Sequence, residues 1–225
     1  MVLDLDLHLR QATVTKDWSN TWTQASSTIS IDVTDAGVSK LVGASSLHLG
    51  SVTVTTQITG YQVKEIGARE AKETHDLELP PQELHTTAIW YEWQPDVIAQ
   101  AGVNDLQLPG ALHAAEHAAI GILPLFTICD RWDVGGVSIA AAPQTGLPTV
   151  FIYDGYPGGA GVADLAYTAS DRHLASTAEL LDACRCTTGC PSCVQSPKCG
   201  NGNEPLHKHA ALALLRTTLG PAEAF

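Results

Sequence analysis

Five of the chain's six cysteines lie within sixteen residues: Cys184-Arg185-Cys186-Thr187-Thr188-Gly189-Cys190-Pro191-Ser192-Cys193, then Cys199 before Gly200. No other feature restricts the fold so sharply. From Cys184 to Asn203 the main apolar side chain is Val194, so this stretch has no core of its own and needs a crosslink to hold a shape. Disulfides, an iron–sulfur cluster and a zinc ion are the three candidates. Zinc takes four ligands in a tetrahedron and favours thiolate. The step from Cys190 to Cys193 is a metal knuckle: two intervening residues let both sulfurs face one ion while backbone amides turn toward them. Gly189 and Gly200 relieve the tight turns beside the ligands. Cys190 and Cys193 are therefore the firm pair, and Cys186 and Cys199 complete a set with open spacing. Cys184 is separated from Cys186 by one residue, and both could bind only with a bent backbone. Cys184 is thus the alternate ligand, and the set Cys184, Cys186, Cys190 and Cys193 stays open. Zn2+ held here would supply ~10 kcal/mol or more of local order. Cys129, alone in an apolar run, reads as a buried small hydrophobe.

The compartment decides among the crosslinks. The longest apolar stretch, Ala118 to Cys129, is too short to span a bilayer and contains Gly121 and Pro124. The opening Met1-Val2-Leu3-Asp4-Leu5-Asp6 is acidic where a signal peptide would be basic. A cytoplasmic location without membrane contact is expected, and there disulfides are rare and clustered cysteines favour metal. The net charge of -12 argues against broad electrostatic adhesion to nucleic acid. Yet from Cys184 to Arg216 the basic Arg185, Lys198, Lys208 and Arg216 face one acidic residue, Glu204, a local patch that could touch DNA.

Periodicity gives an α+β fold: a β-rich N-terminal part, then a mixed α/β part whose Cys-rich zinc-binding segment lies between two helices. Leu3, Leu5, Leu7 and Leu9 alternate with polar residues, the pattern of a half-buried strand. Thr28–Val33 continues the alternation, and Leu47–Ile58 with Gly60–Ile66 reads as a hairpin pair. Gly67–Glu78 is polar, Pro80 and Pro81 break the pattern, and His85–Trp93 is another strand. Leu108-Pro109-Gly110 punctuates the chain. Beyond it the pattern predicts a helix over Ala111–Ile122 ended by Pro124, strands over Val134–Ala141 and Leu147–Asp154, a helix over Val162–Ala183 and a last helix over Leu206–Leu219. A boundary is placed between Pro95 and Pro109, giving a β-rich region at 1–100 and a zinc-binding domain at 101–225.

Two further motifs fall in the second part. His113-Ala114-Ala115-Glu116-His117 puts two histidines one turn apart on one helix face, with Glu116 beside them. The spacing matches the inverted zinc-peptidase motif, so His113, Glu116 and His117 are candidate catalytic residues of a metal-dependent hydrolase; the alternative is a half-buried, hydrogen-bonded helix face. Asp130 and Asp133 could join that polar cluster. The turn Gly155 to Gly161 connects a strand to a helix and could offer amides to a phosphate, or serve only as a tight turn. It lacks the Lys-Ser or Lys-Thr of a nucleotide-binding loop, and no such loop occurs in the chain.

Together, Tyr153 to Gly161, the run Cys184 to Asn201 and Asn203-Glu204-Pro205-Leu206 resemble the C-terminal zinc-binding domain of MrfA-type superfamily 2 DEAD/DEAH-box DNA helicases. His113 to His117, Cys129 to Gly136, Leu77 to Pro81 and the opening Leu3 to Val14 are similar to the same family. The resemblance implies a zinc-binding, non-catalytic accessory region of an ATP-dependent 3′-to-5′ DNA helicase associated with repair. The motor would lie in RecA-like domains, in cis or in trans, and DNA would be met through that parent protein. It also implies that the chain is a C-terminal portion or a separately encoded subunit. The hydrolase and a stand-alone zinc interaction module are the competing readings.

Overall fold

The computed structural model describes residues 1–16, 19–68 and 70–220. Strands β1 (Val2–Asp6), β2 (Gln11–Val14), β3 (Thr21–Val42), β4 (Ser45–Glu65), β5 (Ala71–Asp76) and β6 (Gln82–Trp93) come first. Helices α1 (Pro95–Gln100) and α2 (Leu108–Ile122) follow, then strands β7 (Val134–Ile139) and β8 (Thr149–Asp154) and helices α3 (Val162–Thr168), α4 (Ser170–Ala183) and α5 (Lys208–Leu219). The fold is the α+β arrangement expected, with the cysteine segment between α4 and α5. No helix among the described residues is long and apolar enough to cross a membrane.

Contacts divide the chain into two compact units, Met1–Thr28 with Gln57–Pro80, and Ile29–Thr56 with Pro81–Phe225. In the first unit β1 and β2 form an antiparallel pair, with Val2 opposite Val14. The end of β4 pairs with β5, Gly60 opposite Asp76 and Lys64 opposite Ala71. Lys64 donates to Gln24 and lies over the Trp22 ring. Two expectations are corrected here. The alternating leucines of the opening are exposed rather than half-buried, since no described element covers either face of the β1–β2 pair. The proposed hairpin at Ile58–Gly60 is one uninterrupted strand. Gly60 is there because β5 passes close by: a Cβ would stand 2.3 Å from the His75 carbonyl oxygen. The polar run after Gly67, which offers no apolar period, supplies β5.

In the second unit the strand order is β3-β4-β6-β8-β7. The central strand β6 pairs antiparallel with β4 and with β8, Trp90 facing His48 on one side and Phe151 on the other. Period two sorts its side chains onto two faces. Ile89, Tyr91 and Trp93 join the main core with Leu47, Val150 and Ile152. Ala88 and Trp90 join a smaller cluster with Ile31, Val52, Val54 and Phe151 on the opposite face. Helix α2 is buried from Gly110 to Ala119, and its alanines allow close packing against α4, α5 and β7. Trp93 Nε1 donates to Thr218 Oγ1 at 2.8 Å, tying β6 to α5. The helix expected over Val162–Ala183 is two helices, interrupted at Ala169.

Candidate metal centre

Helix α4 ends at Ala183, and Cys184 already has an extended backbone, φ -72° and ψ 121°. In an extended segment residues i and i+2 point the same way. Cys184 and Cys186 therefore present their sulfurs together, 3.5 Å apart. A tight turn follows, in which Cys193 N donates to Cys190 O at 3.0 Å and Val194 N to the same carbonyl at 3.2 Å. It brings the second pair of sulfurs to 3.7 Å. Gly189, at φ 119°, enters this turn where a Cβ would meet Val194 Cγ2 at 2.5 Å, as the glycine beside the knuckle requires. The two pairs meet at 3.5 Å (Cys184 to Cys190) and 3.4 Å (Cys186 to Cys193).

All four sulfurs lie within 4.8 Å of one another. A tetrahedral zinc shell with Zn–S of about 2.3 Å has sulfurs about 3.8 Å apart, so the cage fits zinc. The knuckle's amide turns inward as expected, Cys190 N donating to Cys193 Sγ at 3.3 Å. Burial and the neighbouring thiols Cys186, Cys190 and Cys184 push the Cys193 thiol up to about 12. Four crowded thiols resist ionising together unless a divalent cation offsets their charge.

Cys199, expected as a partner of Cys186, Cys190 and Cys193, is placed elsewhere. Its sulfur, His113 and His117 form a second group, again with one ligand atom each and all within 4.8 Å. His113 Nε2 is 3.4 Å from Cys199 Sγ. Each ring donates Nδ1–H to a backbone carbonyl, His113 to Pro205 at 2.8 Å and His117 to Val194 at 2.7 Å. Asn203, at φ 66°, donates its amide to Cys199 Sγ at 3.2 Å. Burial would raise the Cys199 thiol, but hydrogen bonds from His113, His117 and the Asn203 and Asn201 amides carry it down to about 5. For His113, burial lowers the affinity for a proton, and the Cys199 and Pro205 hydrogen bonds and the Glu116 charge outweigh it and raise it. Glu116 is pushed up by burial, against the pull of His117, of Ser138 on β7 and of His113. The three candidate catalytic residues are all more than nine-tenths buried, whereas a hydrolase needs a cleft that admits substrate.

Of the four basic residues, Arg185 is exposed, and the two lysines are taken up within the fold. Lys208 is 4% exposed. Its ammonium donates to the carbonyls of Cys184 (2.6 Å) and Cys186 (2.8 Å) and lies 3.5 Å from Cys186 Sγ. Lys198 donates to the carbonyls of Arg131 and Val134 and sits over the Trp132 ring. Arg216 pairs with Asp182 at 2.7 Å. The two lysines are structural donors, not a free surface for DNA. The glycine-rich turn has its own anion: buried Asp154 accepts from the amides of Ala160, Val162 and Ala163, which are the amides a phosphate would use. Asp133 accepts from Tyr156 and from Asp130 N, and neither aspartate belongs to the group formed by His113, His117 and Cys199. Cys129 is half-buried and within 2.9 Å of Thr127 Oγ1.

Comparison with known proteins gives this geometry its context. The family model described as the MrfA Zn-binding domain matches residues 115–194. The ATP-dependent helicase YprA of Bacillus subtilis is 33% identical over 190 residues, 84% of this chain and 25% of that protein. An uncharacterized protein of Methanocaldococcus jannaschii is 39% identical over 111 residues, 48% of this chain and 99% of its own length. The ATP-dependent helicase hrq1 of Schizosaccharomyces pombe is 27% identical over 192 residues, 79% of this chain and 18% of that protein. The crystal structure of the DUF1998 helicase MrfA bound to DNA superposes with a TM-score of 0.69 at 30% identity, covering 95% of this chain and 28% of that one. The chain thus spans between 18% and 28% of the length of these helicases. With four thiols gathered as zinc requires and the matching domain model laid across α2 to the knuckle, the chain belongs to the family of proteins that carry the MrfA Zn-binding domain.

Proposed function

We propose that this chain is the non-catalytic, zinc-stapled accessory region of an ATP-dependent 3′-to-5′ DNA helicase of the repair type, and that Cys184, Cys186, Cys190 and Cys193 hold the zinc. The observation that carries the reading is the four-sulfur cage with separations of 3.4 to 3.7 Å in a chain similar to helicases over most of its length. The metal orders the segment between α4 and α5, and thereby fixes α5 against α2 and β6. ATP chemistry belongs to RecA-like motor domains, in cis or in trans, and DNA is engaged through the assembled helicase in the cytoplasm.

The test pairs the chain with the RecA-like motor of the helicase and follows unwinding of a 3′-tailed duplex. The chain alone should not hydrolyse ATP. The motor with the wild-type chain should unwind, and Cys190→Ser should cut unwinding roughly tenfold or more, in line with losses from disrupted metal sites. Equal unwinding with and without the chain would contradict the proposal.

A further inference from the structure

The four-thiol cage leaves one cluster of metal-ligating side chains unused. His113 and His117, one turn apart on α2, face Cys199 from the loop before α5. The hydrogen bonds around them define which electrons point inward. Both Nδ1–H groups are committed to the carbonyls of Pro205 and Val194. That arrangement fixes the tautomer of a neutral ring and turns each Nε2 toward Cys199, which His113 Nε2 approaches at 3.4 Å, as at metal-bound histidines. The sulfur accepts an amide hydrogen from Asn203, just as Cys193 accepts one from Cys190 in the knuckle. Three electron-rich atoms therefore converge on one partly buried point, and a thiol has a single proton to share among them.

We propose that His113 Nε2, His117 Nε2 and Cys199 Sγ bind a second divalent cation of borderline softness, zinc by preference, with water as the fourth ligand. Two neutral imidazoles and one thiolate suit zinc. Tetrahedral zinc sets nitrogen–nitrogen and nitrogen–sulfur edges at about 3.4 to 3.6 Å, and the observed His113–Cys199 separation is 3.4 Å. One thiolate leaves a zinc ion with a net positive charge, and Glu116, buried beside both histidines on α2, is the acidic group placed to offset it. The second ion clamps α2 to the loop that the first ion shapes. The cysteine segment is thereby fastened at both ends.

Metal content of the full chain tests this, by elemental analysis and by zinc-edge X-ray absorption. Two zinc ions per wild-type chain are expected, with a mean inner shell that mixes sulfur and nitrogen. Cys199→Ser and His113→Ala should each lose one ion of the two and leave a sulfur-only shell. Should either variant fail to fold, the wild-type shell and cobalt-substituted absorption still decide, because a site of two imidazoles and one thiolate absorbs to the blue of a four-thiolate site. One ion per wild-type chain in a sulfur-only shell would overturn the proposal, leaving a metal-free thiolate–imidazole cluster at Cys199. The four-thiol centre would survive that result.

Discussion

Lys208 is an ammonium in the interior, and its environment explains the placement. A zinc ion with four thiolates carries a net double negative charge, and the Lys208 charge lies against one of those sulfurs while two carbonyls of the ligand strand satisfy its protons. Lys208→Met keeps the length of the side chain and removes the charge. It leaves the Cys184 and Cys186 carbonyls unpaired and should cost about 2 kcal/mol in chemical denaturation. It should also speed release of zinc to a chromogenic chelator. Denaturation and release rates equal to wild type would show that the ammonium is a bystander. At this scale the thiols were legible and their addresses were not. Cys190 and Cys193 follow from their spacing. Cys184 joins them because the backbone is extended at the helix end, a torsional fact that spacing does not encode. Cys199 pairs with histidines more than eighty residues earlier, through the packing of a loop on α2. A basic residue likewise shows its charge in the sequence but not the carbonyls that will receive it.

Helices α2 and α4 meet through His173, which is fully buried. Its Nε2 donates to the Ala119 carbonyl at 2.8 Å, and its ring meets the edge of Phe126. Burial holds its pKa below the ordinary 6.5, against the smaller pull of the Ala119 carbonyl. The unfolded chain therefore takes up a proton that the folded chain refuses. This contribution to stability is complete above pH 6.5 and is lost as the pH falls below that value. Zinc release also destabilises in acid, so the measurement is a difference. His173→Gln should lose less stability than wild type between neutral pH and about pH 5 in urea titrations. Parallel losses would assign the acid sensitivity to the metal alone. Elements with a clear apolar period were readable: α2 beside Pro109, β8, and α5 through Leu219. Three readings were not. The break at Ala169 has neither Gly nor Pro to announce it. Gly60 marks a close strand approach rather than a turn. The polar β5 is a strand through its pairing with β4.

For the whole molecule, the zinc-binding family was legible because its cysteines and glycines stand close together in sequence. The antiparallel pairing of β6 with β8, which builds the sheet beneath α2, joins segments some sixty residues apart. Such long-range pairing is set by packing and leaves no local trace. In the proposed function, zinc at the four thiols holds the segment between α4 and α5, and with it the seating of α5. Hydrogen exchange of the full chain, before and after zinc is removed by a chelator, tests this most directly. Exchange should quicken roughly tenfold or more from Cys184 through the first turn of α5, while the amides of β6 and β8 keep their protection. Unchanged exchange across residues 184–212 after the metal has left would contradict the account.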